Sequence, residues 1–445
     1  MLFHRHDEVR IQNARISSRR SFVQSLPFAA LAFNSLLWRE AISLYAADSK
    51  RQDRACILLW MQGGPSQFET FSPLENHRNN GGTTSISTAV PGIHFAEYFP
   101  ECARIANRLA VIRSMTSKEG SHPRASYLLH TGYLPNPSLR HPTLGSIVAS
   151  HTSDDASDLP PVVRIGGRGR SDSGAGFLGT KWDPFELRSP NENPSHTTPA
   201  VSPDRHMRRL DLMERLEVAH ESAAAIEITN HRNLYRRATR MMLSADMKAF
   251  DIASEPASIR SDYGSGEFAS GCLMARRLIE HGVSFVEVVS NGWDTHQDNF
   301  SQIKNLAGQV DGPTAALVRD LESRGMLEKT LVLWMGEFGR TPQVNPRSGR
   351  DHFPRSYNVV LAGGGIQGGT VIGKTDSAGI DVTERPVTVP DLFATVCKSL
   401  SIDQTIEQLA PAGRPIKVTD GGSPVLEAFE GYSRRPNAWV LTQLQ

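Results

Sequence analysis

The chain has 445 residues, with 48 Lys and Arg against 47 Asp and Glu, so no overall field draws it to nucleic acid or an anionic membrane surface. A hydrophobic fraction of 39% with 36 Gly and 27 Pro suits a loop-rich globular fold rather than a disordered chain. The length allows one large α/β domain or two ordinary ones.

Five arginines (Arg5, Arg10, Arg15, Arg19, Arg20) precede a moderately apolar stretch from Phe22 to Leu37. The junction Ser18-Arg19-Arg20-Ser21-Phe22-Val23 resembles a twin-arginine export signal, and residues 1–48 read as a signal region. An amphipathic N-terminal helix is the alternative, because Gln24, Pro27 and Asn34 interrupt the apolar run. Cleavage is expected between Ser43 and Lys50, which makes the protein periplasmic or extracellular. The apolar stretch is shorter than the ~20 residues a bilayer span needs, and nothing later reaches that length.

Residues 54–61 are a continuous apolar run ending at Gly63-Gly64-Pro65, which predicts a buried central strand and a sharp turn. Residues 109–115 predict a second strand, 138–150 a helix and 161–165 a short strand. Residues 166–204, rich in Gly, Ser, Asn and Pro, read as a long excursion. From 205 to 250 the pattern is helical, with Leu210, Met213, Leu216, Leu234, Ala238, Met241 and Met242 expected in the core. A helix over 268–281 closes at Gly282, a strand over 283–289 follows, and a long helix over 302–324 stops at Gly325. Strands over 330–335 and 357–362 and a helix over 390–400 complete the pattern. This alternation predicts a mostly parallel sheet flanked by helices. The four cysteines (Cys56, Cys102, Cys272, Cys397) form no Cys-x-x-Cys pair, which argues against a thiolate zinc site and leaves buried free thiols or one or two disulfides.

Polar motifs cluster beside these strands, where parallel α/β sheets place ligands. Asp294-Thr295-His296 leaves a buried strand and offers oxygen and imidazole ligands to a metal. Glu337 follows an apolar strand between Gly336 and Gly339, and its carboxylate needs either a metal or Arg340. In Asp351-His352 adjacent side chains point opposite ways, so His352 is the expected ligand and Asp351 a group that orients a neighbouring imidazole. After the first strand, Ser66 or Glu69 can reach a cation or phosphoryl group. Ser121-His122-Pro123-Arg124 opens a helix-like run: Ser121 suits a nucleophile or a helix cap, His122 a base or ligand, Arg124 an anion clamp. The glycines of 363–369 precede no helix, which excludes a dinucleotide fingerprint.

Together the motifs resemble the exported bacterial family catalogued as domain of unknown function 1501, itself similar in fold to the alkaline phosphatase and sulfatase superfamily. The carriers are Gly63-Gly64-Pro65-Ser66, Arg113-Ser114-Met115, His130-Thr131-Gly132, the run from Gly271 to Leu278, Trp293-Asp294-x-His296, Gly336-Glu337-Phe338-Gly339-Arg340-Thr341-Pro342, Gly349-Arg350-Asp351-His352 and Gly363-Gly364-Gly365. The resemblance implies a three-layer α/β/α sandwich with a mostly parallel sheet, in one alkaline phosphatase-like domain over 50–435 with an excursion about 166–262.

It also implies metal-activated attack on a phosphate or sulfate ester of a small molecule or polysaccharide. A divalent cation (zinc, calcium or manganese) is expected on Glu69, Asp294, His296, Glu337, Asp351 and His352, with Ser121, His122, Arg124 and Arg340 as catalytic candidates. Asp294, His296, Glu337 and His352 are expected to share one pocket. Phe338 stands where the superfamily has a His ligand, Glu69 where the family has Asp, and Ser72 likewise replaces an acidic residue. A non-catalytic protein that binds sulfated polysaccharide or a cell-envelope partner is the alternative.

Overall fold

A computed structural model describes residues 54–432, apart from 155, 168–173, 193, 196, 198 and 219–224, together with 9–11 and 14–16. Met1–Lys50 form a unit of their own, in which Val9–Ile11 and Ala14–Ile16 pair as an antiparallel hairpin. Arg19, Arg20 and the apolar stretch behind them lie outside the described residues. Among the described residues no helix is long and apolar enough to cross a membrane.

The strands are β1 (Ala55–Gln62), β2 (Ala110–Thr116), β3 (Val162–Ile165), β4 (Phe185–Leu187), β5 (Phe285–Asn291) and β6 (Thr330–Met335). They continue as β7 (Gly339–Arg340), β8 (His352–Phe353), β9 (Tyr357–Ala362), β10 (Thr370–Ile372) and β11 (Val387–Thr388). The central sheet runs β10-β2-β9-β6-β1-β5-β3-β4, with β11 also pairing β2. Within it only β9 runs against its neighbours, β6 and β2. β7 and β8 form a separate two-stranded ribbon that aligns Arg340 with His352.

The apolar run of β1 shows why this is a three-layer fold. Alternate side chains of a strand face opposite sides. Ile57, Leu59 and Met61 enter the core on one face, Cys56, Leu58 and Trp60 the core on the other. A strand buried on both faces reads as continuous rather than alternating hydrophobicity. The first face is covered by α5 (Glu267–Glu280) and α6 (Asn299–Ser323). On the second lie α1 (His122–Thr131), α2 (Leu144–Thr152) and α7 (Val389–Ser399). The start of α7 is a capping box between Thr388 and Asp391. All four cysteines are buried and free.

The excursion holds α3 (Pro203–Val218) and α4 (Ala225–Leu243), and here the sequence expectation fails. Of the residues expected in the core only Met241 is buried, while Leu216 is 58% and Leu234 48% exposed. These helices pack on each other outside the sheet layers, so helical spacing of apolar residues marks a stripe without saying what covers it.

Buried charge also crosses the sheet. Glu287 in β5 accepts a hydrogen bond from Arg164 Nε at 3.0 Å and lies 3.4 Å from His130 Nε2, whose ring packs on Trp60. Burial alone would raise the Glu287 carboxyl, but His130 and Arg164 outweigh it and pull it down to about 2. The ordinary value is 4.5, so this carboxylate stabilises the fold above pH 4.5 and the contribution fades as pH falls toward 2. Burial opposes the His130 imidazolium, yet Glu287 raises its pKa, so that contribution is complete below 6.5 and lost as pH climbs through the raised value. Glu287→Gln is therefore expected to flatten the urea-unfolding midpoint in both windows. A pH slope that survives the substitution would show the triad is not its source.

Candidate metal centre

Parallel strands carry the loops at their C-terminal edge to one side of the sheet, and β9, running the other way, begins at that same edge. Segments distant in sequence thus meet: Gly63 and Gly64 after β1, His122 at the start of α1, Asp294 and His296 after β5, Glu337 after β6 and His352 before β9. Two glycines make the approach possible. Gly63, at φ +119°, lies where a Cβ would strike the Asp294 amide, and a Cβ on Gly349 would strike the His296 carbonyl.

Asp294 is the hub. Its Oδ1 lies 3.1 Å from His296 Nε2 and 3.4 Å from His352 Nε2, and its Oδ2 lies 3.3 Å from His122 Nε2. His296 and His352 bring their Nε2 atoms to 2.9 Å of each other. Donor atoms around a tetrahedral ion with bonds of ~2.0–2.2 Å stand roughly 3.3–3.6 Å apart, close to the spacings from Asp294, while the two Nε2 atoms at 2.9 Å are closer than that. His122, Asp294 and His352 have ligand atoms mutually within 4.8 Å.

The neighbours of the imidazoles decide their tautomers. His352 Nδ1 bonds the Gly120 carbonyl at 2.8 Å, and a carbonyl only accepts, so Nδ1 carries the proton. His296 Nδ1 faces Asp351 Oδ1 at 2.8 Å and His122 Nδ1 faces Glu337 Oε1 at 2.7 Å, with the same consequence. In its neutral form each ring therefore turns an Nε2 lone pair toward Asp294. Three ring nitrogens converge on a carboxylate whose one firm donor is Arg340 Nη2 at 2.6 Å, an arrangement that can hold a cation. His122 Nε2 is buried and, although 3.3 Å from Asp294, is not aligned for a hydrogen bond with it. A ring whose far N–H is held by a carboxylate or carbonyl is the usual arrangement of a metal-bound histidine.

The electrostatics divide between the rings. The hydrogen bond to Glu337 raises His122 above the ordinary imidazole value despite partial burial, which favours its protonated form, so a cation there must displace that proton. Burial would raise Asp294, but the hydrogen bond and charge of Arg340 override it and keep the carboxylate ionised. Burial lowers His352, and the nearby Arg340 and His122 add to that, favouring the neutral ligand form.

Other expected residues stand elsewhere. Glu337 reaches the cluster only through His122; its oxygens otherwise accept the Gly63 amide at 3.0 and 3.1 Å, so it orients a ring rather than offering a ligand atom. Asp351 sits behind His296, steadied by Asn345 Nδ2 at 3.2 Å. Glu69 is sealed in a bidentate pair with Arg350, at 3.0 and 2.7 Å, and accepts from Asn299 at 2.9 Å. A carboxylate so satisfied and fully buried has no lone pair to spare for the cluster. Arg124 is not turned to an anion: both its bonds go to Glu119, at 2.8 and 2.7 Å. Arg340 is fully buried, its side chain held by backbone carbonyls and by Asp294. Ser121 is exposed at the N-cap of α1, and its side chain makes no cap hydrogen bond.

Sequence reasoning missed the part played by Phe338. Its ring packs 4.9 Å from that of His122 and 4.5 Å from that of His352, an apolar wall behind two imidazoles. The signal was its place in the Gly336-Glu337-Phe338-Gly339 turn after a buried strand, which the ligand reading treated only as a missing nitrogen.

The family described as protein of unknown function DUF1501 matches residues 53–429. The chain belongs to that family. No curated protein matches it. Among solved structures it is similar to the lipoteichoic acid synthase LtaP from Listeria monocytogenes, at TM-score 0.39 and 9% identity over 85% of this chain and 77% of that one. It is also similar to the PsFucS1 sulfatase from Pseudoalteromonas sp., at TM-score 0.37 and 14% identity over 81% and 72% of the two chains. A third is a protein in the alkaline phosphatase superfamily from Vibrio parahaemolyticus, at TM-score 0.36 and 11% identity over 79% and 67%.

Proposed function

We propose that this protein is an exported, metal-dependent hydrolase of phosphate or sulfate esters, with His122, Asp294, His296 and His352 holding one divalent cation. The observation that carries the reading is the set of three imidazoles, each turned by a partner on Nδ1 so that in its neutral form its Nε2 lone pair faces Asp294. A nitrogen-rich donor set of this kind suits zinc or manganese, whereas calcium takes six to eight oxygens. When bound, such a cation polarises an ester oxygen and lowers the pKa of an attacking hydroxyl or water. The chain supplies the rest. Glu337, Asp351 and Gly120 hold the rings in register, Arg340 keeps Asp294 ionised, and Ser121 beside His122 offers a hydroxyl at the start of α1.

Metal analysis of the purified protein, followed by assay on an aryl phosphate and an aryl sulfate, tests the reading. Absence of bound metal, or hydrolysis that survives chelation, overturns it. Glu337→Gln is expected to weaken metal affinity about 10–100-fold, as loss of a ligand's orienting carboxylate does. A chelator competition titration reads this directly, and unchanged affinity would remove His122 from the ligand set.

One observation favours a second reading, a non-catalytic protein binding a sulfated polysaccharide or cell-envelope partner. A serine nucleophile needs an adjacent base, and among the described residues the Ser121 side chain has no hydrogen-bond partner. Metal bound without ester hydrolysis would decide for it.

Export rests on Arg19-Arg20 ahead of the apolar stretch. Changing both to Lys is expected to strand full-length precursor in the cytoplasm. Mature protein still appearing outside would exclude the twin-arginine route.

A further inference from the structure

Arg340 is fully buried beside the centre, and every hydrogen bond it makes ends on oxygen. Its Nε donates to the Gly64 carbonyl at 2.8 Å and Nη1 to the Arg350 carbonyl at 3.1 Å. Nη2 donates to the Gly63 carbonyl, to the Trp293 carbonyl at 3.2 Å and to Asp294 Oδ1 at 2.6 Å. Four carbonyls and a carboxylate gathered from three loops make an all-oxygen shell, the kind a hard cation takes. Here a group that never loses its charge fills it.

Charge balance points the same way. Asp294, Glu337 and Asp351 supply three negative charges on or directly behind the imidazole pocket. One divalent ion and the Arg340 guanidinium supply three positive ones, and Arg347 acts on Asp351 as well, so no negative charge is left over for a second ion. A second divalent ion would leave two positive charges uncompensated within a few ångströms of a buried guanidinium, where repulsion is poorly screened.

We propose that Arg340 is a built-in cation standing where Asp294 would otherwise draw a second metal ion, so that the centre takes a single divalent ion. The inference rests on the metal reading above and assigns Arg340 a positioning role, since its side chain is held by backbone carbonyls and by Asp294.

The test is metal stoichiometry after equilibration with zinc or manganese and removal of loose ion, read by elemental analysis. The wild type and Arg340→Lys, which both keep the charge, are expected to hold one equivalent per chain. Arg340→Ala, which opens the oxygen shell, is expected to hold two. Should the alanine variant fail to fold, Arg340→Gln removes the charge while keeping much of the length and is expected to behave likewise. Two equivalents in the wild type, or one in a folded neutral variant, overturns the proposal while leaving the metal centre standing. No bound ion in the wild type overturns the metal reading and this inference together. A merely structural arginine would change melting temperature without changing the count.

Discussion

Asp294→Ala is expected to lose both the bound cation and all ester hydrolysis above the metal-free background. No other carboxylate replaces it, because Glu337 is committed to His122 and the Gly63 amide, and Asp351 to His296. The three Nε2 atoms it gathers would face one another with no negative charge to offset a divalent ion. Affinity is expected to fall beyond the 10–100-fold that an orienting residue alone is worth. Metal content by elemental analysis and turnover of an aryl phosphate and aryl sulfate are the two readouts. A variant that keeps its metal places the centre elsewhere. A variant that loses metal but keeps turnover separates the chemistry from the cation.

The second large effect is on stability. Arg350→Ala removes a guanidinium that is fully buried and donates to Glu69 through two nitrogens, at 3.0 and 2.7 Å. It also donates to the carbonyls of Thr341, Pro342 and Asn79, and lies over the rings of Phe68 and Phe300. Its loss strands the Glu69 carboxylate, itself 0% exposed, without a counter-charge. Breaking a buried pair from one side costs about 3–5 kcal/mol. Arg355→Ala is the control: Arg355 pairs with Asp381 at the surface, both more than half exposed, and a pair of that kind is worth up to about 1 kcal/mol. Urea unfolding of the two variants compares them. An Arg350→Ala protein within 1 kcal/mol of wild type would mean the loops between residues 69 and 83 and around 350 are not held by this pair.

Much of the candidate centre was legible beforehand because metal-binding residue types sit next to strand ends. Asp294, His296 and His352 were marked by position and type alone, and the structure gathers them. His122 was open between base and ligand; its place against Asp294 depends on where α1 starts relative to β5, a distance no sequence interval encodes. Glu69 and Glu337 look alike in sequence, each a carboxylate just beyond a buried strand. Their fates differ because Arg350 reaches the first from a remote loop, whereas the second receives the Gly63 amide and a histidine ring.

The sequence alone determined the layered α/β architecture, since doubly buried strands must be apolar throughout and helices between them must repeat at helical spacing. It also marked the edge at which ligands gather. Only the tertiary structure decided that β9 runs antiparallel, because residue type hardly records strand direction. The same holds for α3 and α4, whose apolar stripes look like core although among their described residues Leu216 and Leu234 are left largely exposed. Above all, the folded structure decided which ring nitrogen faces inward. That choice belongs to the partner on the opposite nitrogen, and for His122, His296 and His352 those partners are brought by other segments of the chain: Glu337, Asp351 and Gly120.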